Sequence, residues 1–366
     1  MTEVQLLVPV LAEVLHWNRA RVTFVAHFIL ALVKVRTVNF PEIAVAFAGP
    51  AQPASKYKRI QRFFRAFLVD FLTISRLLVR MLPLRDLRWI LTLDRTTWKL
   101  GRLSINILIL GIAYLGVAFP IVWMTLSKQG NSNTGERIHL MARFLRSFGI
   151  DKIACLTADR EFLGHEWFSY LLGHLIHFCI RIRENMLVPN VRGIVVHAKT
   201  LFRDLAPGEV RVLKGRRLVC GVKLFVVGLR LPDGEYLILV TDKEPETAME
   251  TYAQRWEIET LFGCLKNRGF RFESTHLTKP DRINKLVALL AITFCWCHLT
   301  GEWVHQQKPI PIKKHGRKAK SIFRAGLDHL REILLNISEK RQQFKEMILL
   351  LRKYLQLAHT AQPLRI

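Results

Sequence analysis

Hydrophobic residues in the first 88 positions recur every three or four residues, the period of helices that bury one face. The pattern predicts helices over 4–15, 22–35, 40–47, 55–67 and 71–82. The run Gly49-Pro-Ala-Gln-Pro53 is a turn between two of them, with Ser55 a candidate N-cap for the next helix. From Trp89 the period changes. Apolar runs over 89–94, 103–114, 117–126, 152–158 and 177–183 read as strands, with helices at 134–148 and after Asp159. Between about 184 and 232 the chain is rich in Val, Gly and Arg, with short alternating runs such as 210–213 and 218–229, as in a β-rich segment. Residues 236–241 are either its last strand or a return to the preceding strands. Glu244-Pro245-Glu246-Thr247 then opens a helix with acids and Pro in its first turn. Two further helices are predicted at 321–335 and 338–357, after the basic stretch 313–320.

The stretch between Arg102 and Lys128 carries no charge and is long enough for a membrane-spanning helix. Its composition favours another reading. Gly111, Gly116 and Pro120 interrupt it, Asn106 would sit inside the span, and Ile105, Ile107, Ile109, Ile112, Val117, Ile121 and Val122 favour strands. Two adjacent core strands account for it, and no membrane partner is expected. Glu3, Glu13 and His16 interrupt the N-terminus where a signal peptide would be apolar.

Charge narrows the partners. The 366 residues hold 55 Lys and Arg against 29 Asp and Glu, a net charge of +26. Such an excess calls for a polyanion, nucleic acid or an anionic membrane surface. The six cysteines are scattered without a paired framework, as in a reduced cytosolic protein. Cys295-Trp-Cys297-His298 lies within an apolar run and lacks a second ligand pair, so these are buried structural residues rather than a metal clip.

The most informative segment is Tyr252-Ala-Gln-Arg255-Trp-Glu-Ile-Glu259-Thr-Leu-Phe-Gly-Cys-Leu-Lys266, which reads Y-x2-R-x3-E-x6-K. On a single helix these four residues fall within roughly 60° of one another, beside an apolar stripe of Ile258, Leu261, Phe262 and Leu265. A carboxylate flanked by cations suits a site that holds a metal ion and a phosphodiester together, whereas a solvated face would show the same i,i+4 spacing. Two further acids follow hydrophobic runs, Asp94 after Trp89-Ile-Leu-Thr-Leu and Asp159 after Lys152-Ile-Ala-Cys-Leu-Thr-Ala. Strand-end carboxylates beside a third on a helix offer oxygen ligands to hard divalent cations, and two such ions could clamp an in-line phosphoryl displacement.

This combination resembles the DDE transposases of the insertion-sequence-4 family of bacterial mobile elements. All four positions of the family's Y-x2-R-x3-E-x6-K signature are matched, and its second-Asp motif stands intact as Asp159-Arg160-Glu161-Phe162. Asp94 corresponds to the first Asp through strand pattern and order. The resemblance runs from about residue 35 to 335. It implies an α/β fold, a ribonuclease H-like catalytic core with a β-rich insertion, a helical N-terminal domain and a helical C-terminal tail. In that order Asp94 stands on the first strand and Asp159 on the fourth. The corresponding division is a helical DNA-binding domain (1–88), core (89–183), insertion (184–241), second part of the core with the Glu helix (242–305) and a basic helical region (306–366).

The resemblance further implies that Asp94, Asp159 and Glu259 are catalytic and hold two Mg²⁺ ions, for which Mn²⁺ substitutes. Tyr252, Arg255 and Lys266 would bind the element's end near the cleaved phosphate. The expected activity is cut-and-paste transposition: binding of inverted repeats on double-stranded DNA, cleavage through a hairpin intermediate and joining of 3′ ends to target DNA. The expected assembly is a homodimer on paired DNA ends, in the bacterial cytoplasm at the nucleoid. Relatives place a base-stacking Trp in the insertion. This chain has none between Trp167 and Trp256, and Trp256 itself either stacks on an extruded base or packs against the insertion. Arg160 and Glu161 brace the site, or Glu161 is an exposed acid. Lys56, Lys58, Arg59 and Arg62 on the 55–67 helix form either the DNA-facing side of a helix-turn-helix or the basic solvent face of a bundle helix. A catalytically inactive, regulatory DNA-binding relative and a basic membrane protein are the other readings of the whole chain.

Overall fold

The computed structural model describes residues 2–84, 87–314, 316 and 318–356. The N-terminal helices are α1 (Glu3–Leu15), α2 (Arg19–Val35), α3 (Phe40–Ala46), α4 (Pro53–Ala66) and α5 (Phe71–Arg80). Polar caps start several of them. Thr2 and Gln5 close a reciprocal capping box on α1, and the Asn18 and Asp70 side chains accept backbone N–H groups of α2 and α5. Ser55 is not the cap of α4. That helix starts two residues earlier, with Pro53 in its first turn and Gln52 as a cap without a side-chain bond, because proline's fixed φ already suits a helix start.

Three long strands follow, β1 (Trp89–Leu100), β2 (Leu103–Tyr114) and β3 (Val117–Leu126). The uncharged run is therefore an antiparallel hairpin, paired from Asn106↔Leu126 to Tyr114↔Val117, and not a membrane helix. Its two-residue turn places Leu115 and Gly116 at φ 50° and 90°, the positive values that primed hairpin turns demand. Next come α6 (Thr134–Phe148), capped reciprocally by Asn133 and Glu136, then β4 (Ile153–Ala158), α7 (His165–Gly173) and β5 (Phe178–Ile182).

The β-rich segment supplies β6 (Leu187–Pro189), β7 (Val195–His197), β8 (Val210–Val212), β9 (Arg217–Val219), β10 (Val222–Arg230) and β11 (Tyr236–Thr241). The main sheet runs β3-β2-β1-β4-β5-β11-β10-β8, with β9 on β10, while β6 and β7 form a separate ribbon. β11 pairs antiparallel with β5 and with β10, so it returns to the preceding strands and carries the inserted ones as an extension of the same sheet.

After one 3-10 turn at Pro245–Thr247 come α8 (Ala248–Ala253), α9 (Trp256–Leu265), α10 (Pro280–Gln307), α11 (Ile322–Leu335) and α12 (Arg341–Gln356). α10 is long and apolar enough to cross a membrane by length and composition, yet 94% of its apolar window is buried inside the fold, with Cys295 and Cys297 in its core. All six cysteines are free. The tail helix starts at Arg341 rather than 338. His315 and Arg317 of the basic stretch, and residues 357–366 of the tail, lie outside the described residues.

Two compact units result. One comprises 86–97 and 106–260 and holds most of the sheet with α6, α7 and α8. The other comprises 1–85, 98–105 and 261–366 and is largely helical. In the helical unit α10 and α11 cross closely at glycines. A Cβ on Gly301 would collide with the Ile322 carbonyl, and one on Gly326 with the Cys297 carbonyl.

Candidate functional site

The acids of the sheet unit are brought together by strand register. β1 and β4 run parallel, and their ladder ends at Leu93↔Ala158. The next residue on each strand is Asp94 and Asp159, so both carboxylates fall at the same end of the ladder. Asp94 is not at the end of its own strand, because β1 continues in extended form to Leu100. What ends there is the parallel partner.

The signature segment is not one helix. Its backbone turns at Gln254 and Arg255, where the Arg255, Glu257 and Ile258 N–H groups donate to carbonyls three residues back (Tyr252, Gln254, Arg255) at 2.9–3.2 Å. α8 therefore carries Tyr252, the turn carries Arg255, α9 carries Glu259, and Lys266 lies one residue past the end of α9. Tyr252 is anchored with Ala248 of its own helix against Cys155, Cys179, Val227 and Leu239 on the sheet. The stripe beside it is Ile258, Leu261, Cys264 and Leu265, all buried, with Phe262 only half-buried.

Arg255 links the acids. One guanidinium nitrogen donates to Glu259 Oε1 at 2.6 Å and another lies 3.4 Å from Asp94 Oδ2. Its side chain is 5% exposed, against 41% for Glu259. The Tyr252 hydroxyl approaches Asp159 Oδ1 at 3.4 Å. Burial opposes the charge on Arg255, but the hydrogen bond to Glu259 and the fields of Asp159 and Asp94 hold its pKa above the usual arginine value. Its Nε is buried with no protein partner, a donor left for an acceptor oxygen. Burial pushes the Asp94 carboxyl up to about 7, with Glu161 and Asp159 adding to the shift and the Arg95 N–H and Arg255 opposing it. Burial also raises the Tyr252 phenol, which stays protonated.

A second network surrounds the acids, and of its members only Glu161 was a brace candidate from the sequence. Arg95 grips Glu161 in bidentate fashion at 2.7 and 2.8 Å, reaches Asn106 and Asn131, and its backbone N–H donates to Asp94 Oδ1 at 2.7 Å. The buried Asn106 donates to the Lys128 and Gly130 carbonyls, and Arg137 to the Glu161 and Leu163 carbonyls. Glu161 is thus engaged rather than an exposed acid. The clue was Asn106, a lone amide in an apolar strand, which must find partners when buried. Glu257 adds a further tie, accepting the Gly116 N–H at 3.0 Å.

The remaining candidates divide between the two units. Lys266 belongs to the helical unit, where it pairs with Glu273 at 2.9 Å and sits 5.6 Å from the centroid of Trp98. Trp256 is 60% exposed, with the Arg255 guanidinium 5.1 Å from its ring. On α4, Lys56 donates to the Phe47 carbonyl and Arg59 lies near the Phe24 ring, half-buried, whereas Lys58 and Arg62 are exposed.

Carboxylate oxygens are the donor type hard divalent cations prefer, and the upward shift of Asp94 reflects chiefly the cost of burying its charge, which a bound cation would offset. Among the described residues, however, no group of three or more His, Cys, Asp or Glu side chains is gathered closely enough to hold an ion as the side chains stand. The positive charge between Asp94 and Glu259 is Arg255. The donor chemistry fits a cation, provided Arg255 exchanges its carboxylates for another anion.

A family model described as the transposase DDE domain matches residues 85–296, more than half of the chain. Comparison with curated proteins gave no match. Among solved structures, the C-terminal lobe of a budding yeast Argonaute aligns with 69% of this chain, at 11% identity and a TM-score of 0.25. The chain spans 55% of that structure's length, and so low a score carries no argument.

Proposed function

This chain belongs to the family of transposases with a DDE domain, and from that membership we propose that it cleaves the ends of its mobile element and joins them to target DNA. The observation that carries this reading is the meeting of Asp94 and Asp159 at the end of one parallel ladder, with Arg255 joining Asp94 to Glu259. Asp94, Asp159 and Glu259 would hold the divalent ions, two Mg²⁺ with Mn²⁺ as substitute. When bound, such ions activate the attacking oxygen and stabilise the departing one.

The chain's own groups do the rest. Arg255, buried and with an unpartnered Nε, presents a planar fork to the scissile phosphate and releases the carboxylates as it does so. Tyr252 supports Asp159 through its hydroxyl. The Arg95–Glu161 pair sets the spacing between the segments bearing the two aspartates. Lys266 is assigned to a flanking phosphate, which competes with Glu273 for its ammonium. The exposed Trp256 offers a stacking face for a base unpaired beside the cut, the role that relatives give to a Trp in the insertion. Inverted-repeat recognition, a hairpin intermediate and a dimer on paired ends complete the proposal.

The test is nicking of DNA carrying the element's terminal repeats, with Mg²⁺ or Mn²⁺. Wild type should cut at the repeat ends. Asp159→Ala and Glu259→Ala should lose cleavage yet keep end binding, because the electrostatic footprint is spread over many other cations. Near-wild-type cutting by either variant removes that acid from the site. Absence of cutting by the folded wild type, with repeat binding intact, would favour the regulatory relative.

A further inference from the structure

A cleft of about 590 Å³ opens in the helical unit. One wall is a face of α4 with Tyr57, Lys58, Arg62 and Arg65. The opposite wall is the 275–277 loop and the start of α10, with His276 and Arg282. The floor is apolar: Phe40, Phe64 and Leu277 contribute to it. None of the lining residues is acidic.

The walls are fixed by buried polar ties. Lys285 of α10 donates to the Phe64 carbonyl at 3.0 Å with its side chain 5% exposed, and pairs with Asp281 at 3.6 Å. The Thr37 and Ser274 hydroxyls lie 2.9 Å apart beside the loop. The basic helix is thereby divided. Lys56 and Arg59 turn to protein partners, while Lys58, Arg62 and Arg65 face the cleft with Arg282, which lies more than 200 positions further along the chain.

We propose that this cleft binds an unpaired stretch of DNA strand. A paired duplex presents phosphates outward and keeps its base faces stacked inside, so it would use the cationic rim and leave the aromatic floor without a partner. A single strand satisfies both: its phosphates meet the rim and its bases lie on Tyr57 and the apolar floor. Only the identity of the polyanion as DNA rests on the transposase reading. The volume suits one or two nucleotides.

The experiment is fluorescence anisotropy of the full chain in EDTA, where no cleavage occurs, with labelled oligo-dT and with a hairpin duplex of equal phosphate number. Tyr57→Ala should weaken oligo-dT binding by about tenfold while leaving duplex binding within about twofold, as expected for loss of one stacked base. The pair Arg62→Ala/Arg282→Ala, at one exposed and one half-buried cation, should flatten the salt dependence for oligo-dT by roughly 1.4 in slope, since each single-strand phosphate contact contributes about 0.7. Lys345→Ala, an exposed cation on α12, serves as the charge control and should change neither. The proposal is overturned if folded Tyr57→Ala weakens both DNAs equally or neither. It is overturned too if Lys345→Ala matches the loss at Arg62 and Arg282, or if a polyglutamate peptide displaces oligo-dT from wild type but not from the cleft variants. A protein that fails to nick repeat DNA yet gives the expected anisotropy results refutes the transposase activity and leaves the cleft assignment standing.

Discussion

Asp94→Asn should make the metal-free protein more stable at alkaline pH, although it removes a group assigned to the chemistry. The Asp94 carboxyl is pushed from 3.8 to about 7, chiefly by burial, and its side chain is 17% exposed. The folded chain therefore holds a proton there between those values that the unfolded chain has released. Stability from this group is full below pH 3.8 and is lost as pH rises through 7. At roughly 1.4 kcal/mol per pH unit, eased by local relaxation, the ionised carboxylate costs the fold about 2–4 kcal/mol at pH 8. Asparagine retains an oxygen to accept the Arg95 N–H and never ionises. Urea titrations in EDTA at pH 5 and pH 8 measure the difference. Between pH 5 and pH 8 only about two pH units of that shift are traversed, so wild type should lose about 1–3 kcal/mol relative to Asp94→Asn, and added Mg²⁺ should restore wild type but not the variant. A constant gap between the proteins at both pH values would refute the argument, since it would mean that Asp94 is not charged at a cost.

Arg255→Ala leaves Asp94 and Glu259 without their shared cation. Cleavage in Mg²⁺ should fall at least about 100-fold on any repeat sequence, with little change in preference among sequences, and full activity in a folded variant would reduce the signature segment to scaffold. Gly326→Ala drives a methyl into the Cys297 carbonyl where α10 and α11 cross, and should cost about 1–3 kcal/mol by urea titration without altering the salt dependence of DNA binding.

Much of the secondary structure was legible because periodicity reports local physics. The strands 103–114 and 117–126 and the helix 134–148 were bounded as they stand, since apolar runs, caps and turn residues act within a few positions. The signature was legible as chemistry and misleading as geometry. Spacings of three and four read as one helix, but Arg255 sits in a turn whose N–H groups bond three residues back, and that turn aims the guanidinium at two acids at once. Glu161 could be read as braced or exposed until Arg95 was seen to hold it.

The three candidate acids, their order and the polyanion-seeking charge could be read in the chain, because residue type and spacing need no partner to be recognised. Three other features came from packing. Register placed Asp94 at the end of a ladder rather than of a strand. Packing within the helical unit gave Lys266 its partners Glu273 and Trp98. The cleft joined α4 to Arg282 across a sequence gap no local pattern spans. Each depends on which distant segments meet, and the energy of a ladder, an ion pair or a shared cavity exists only once they have met.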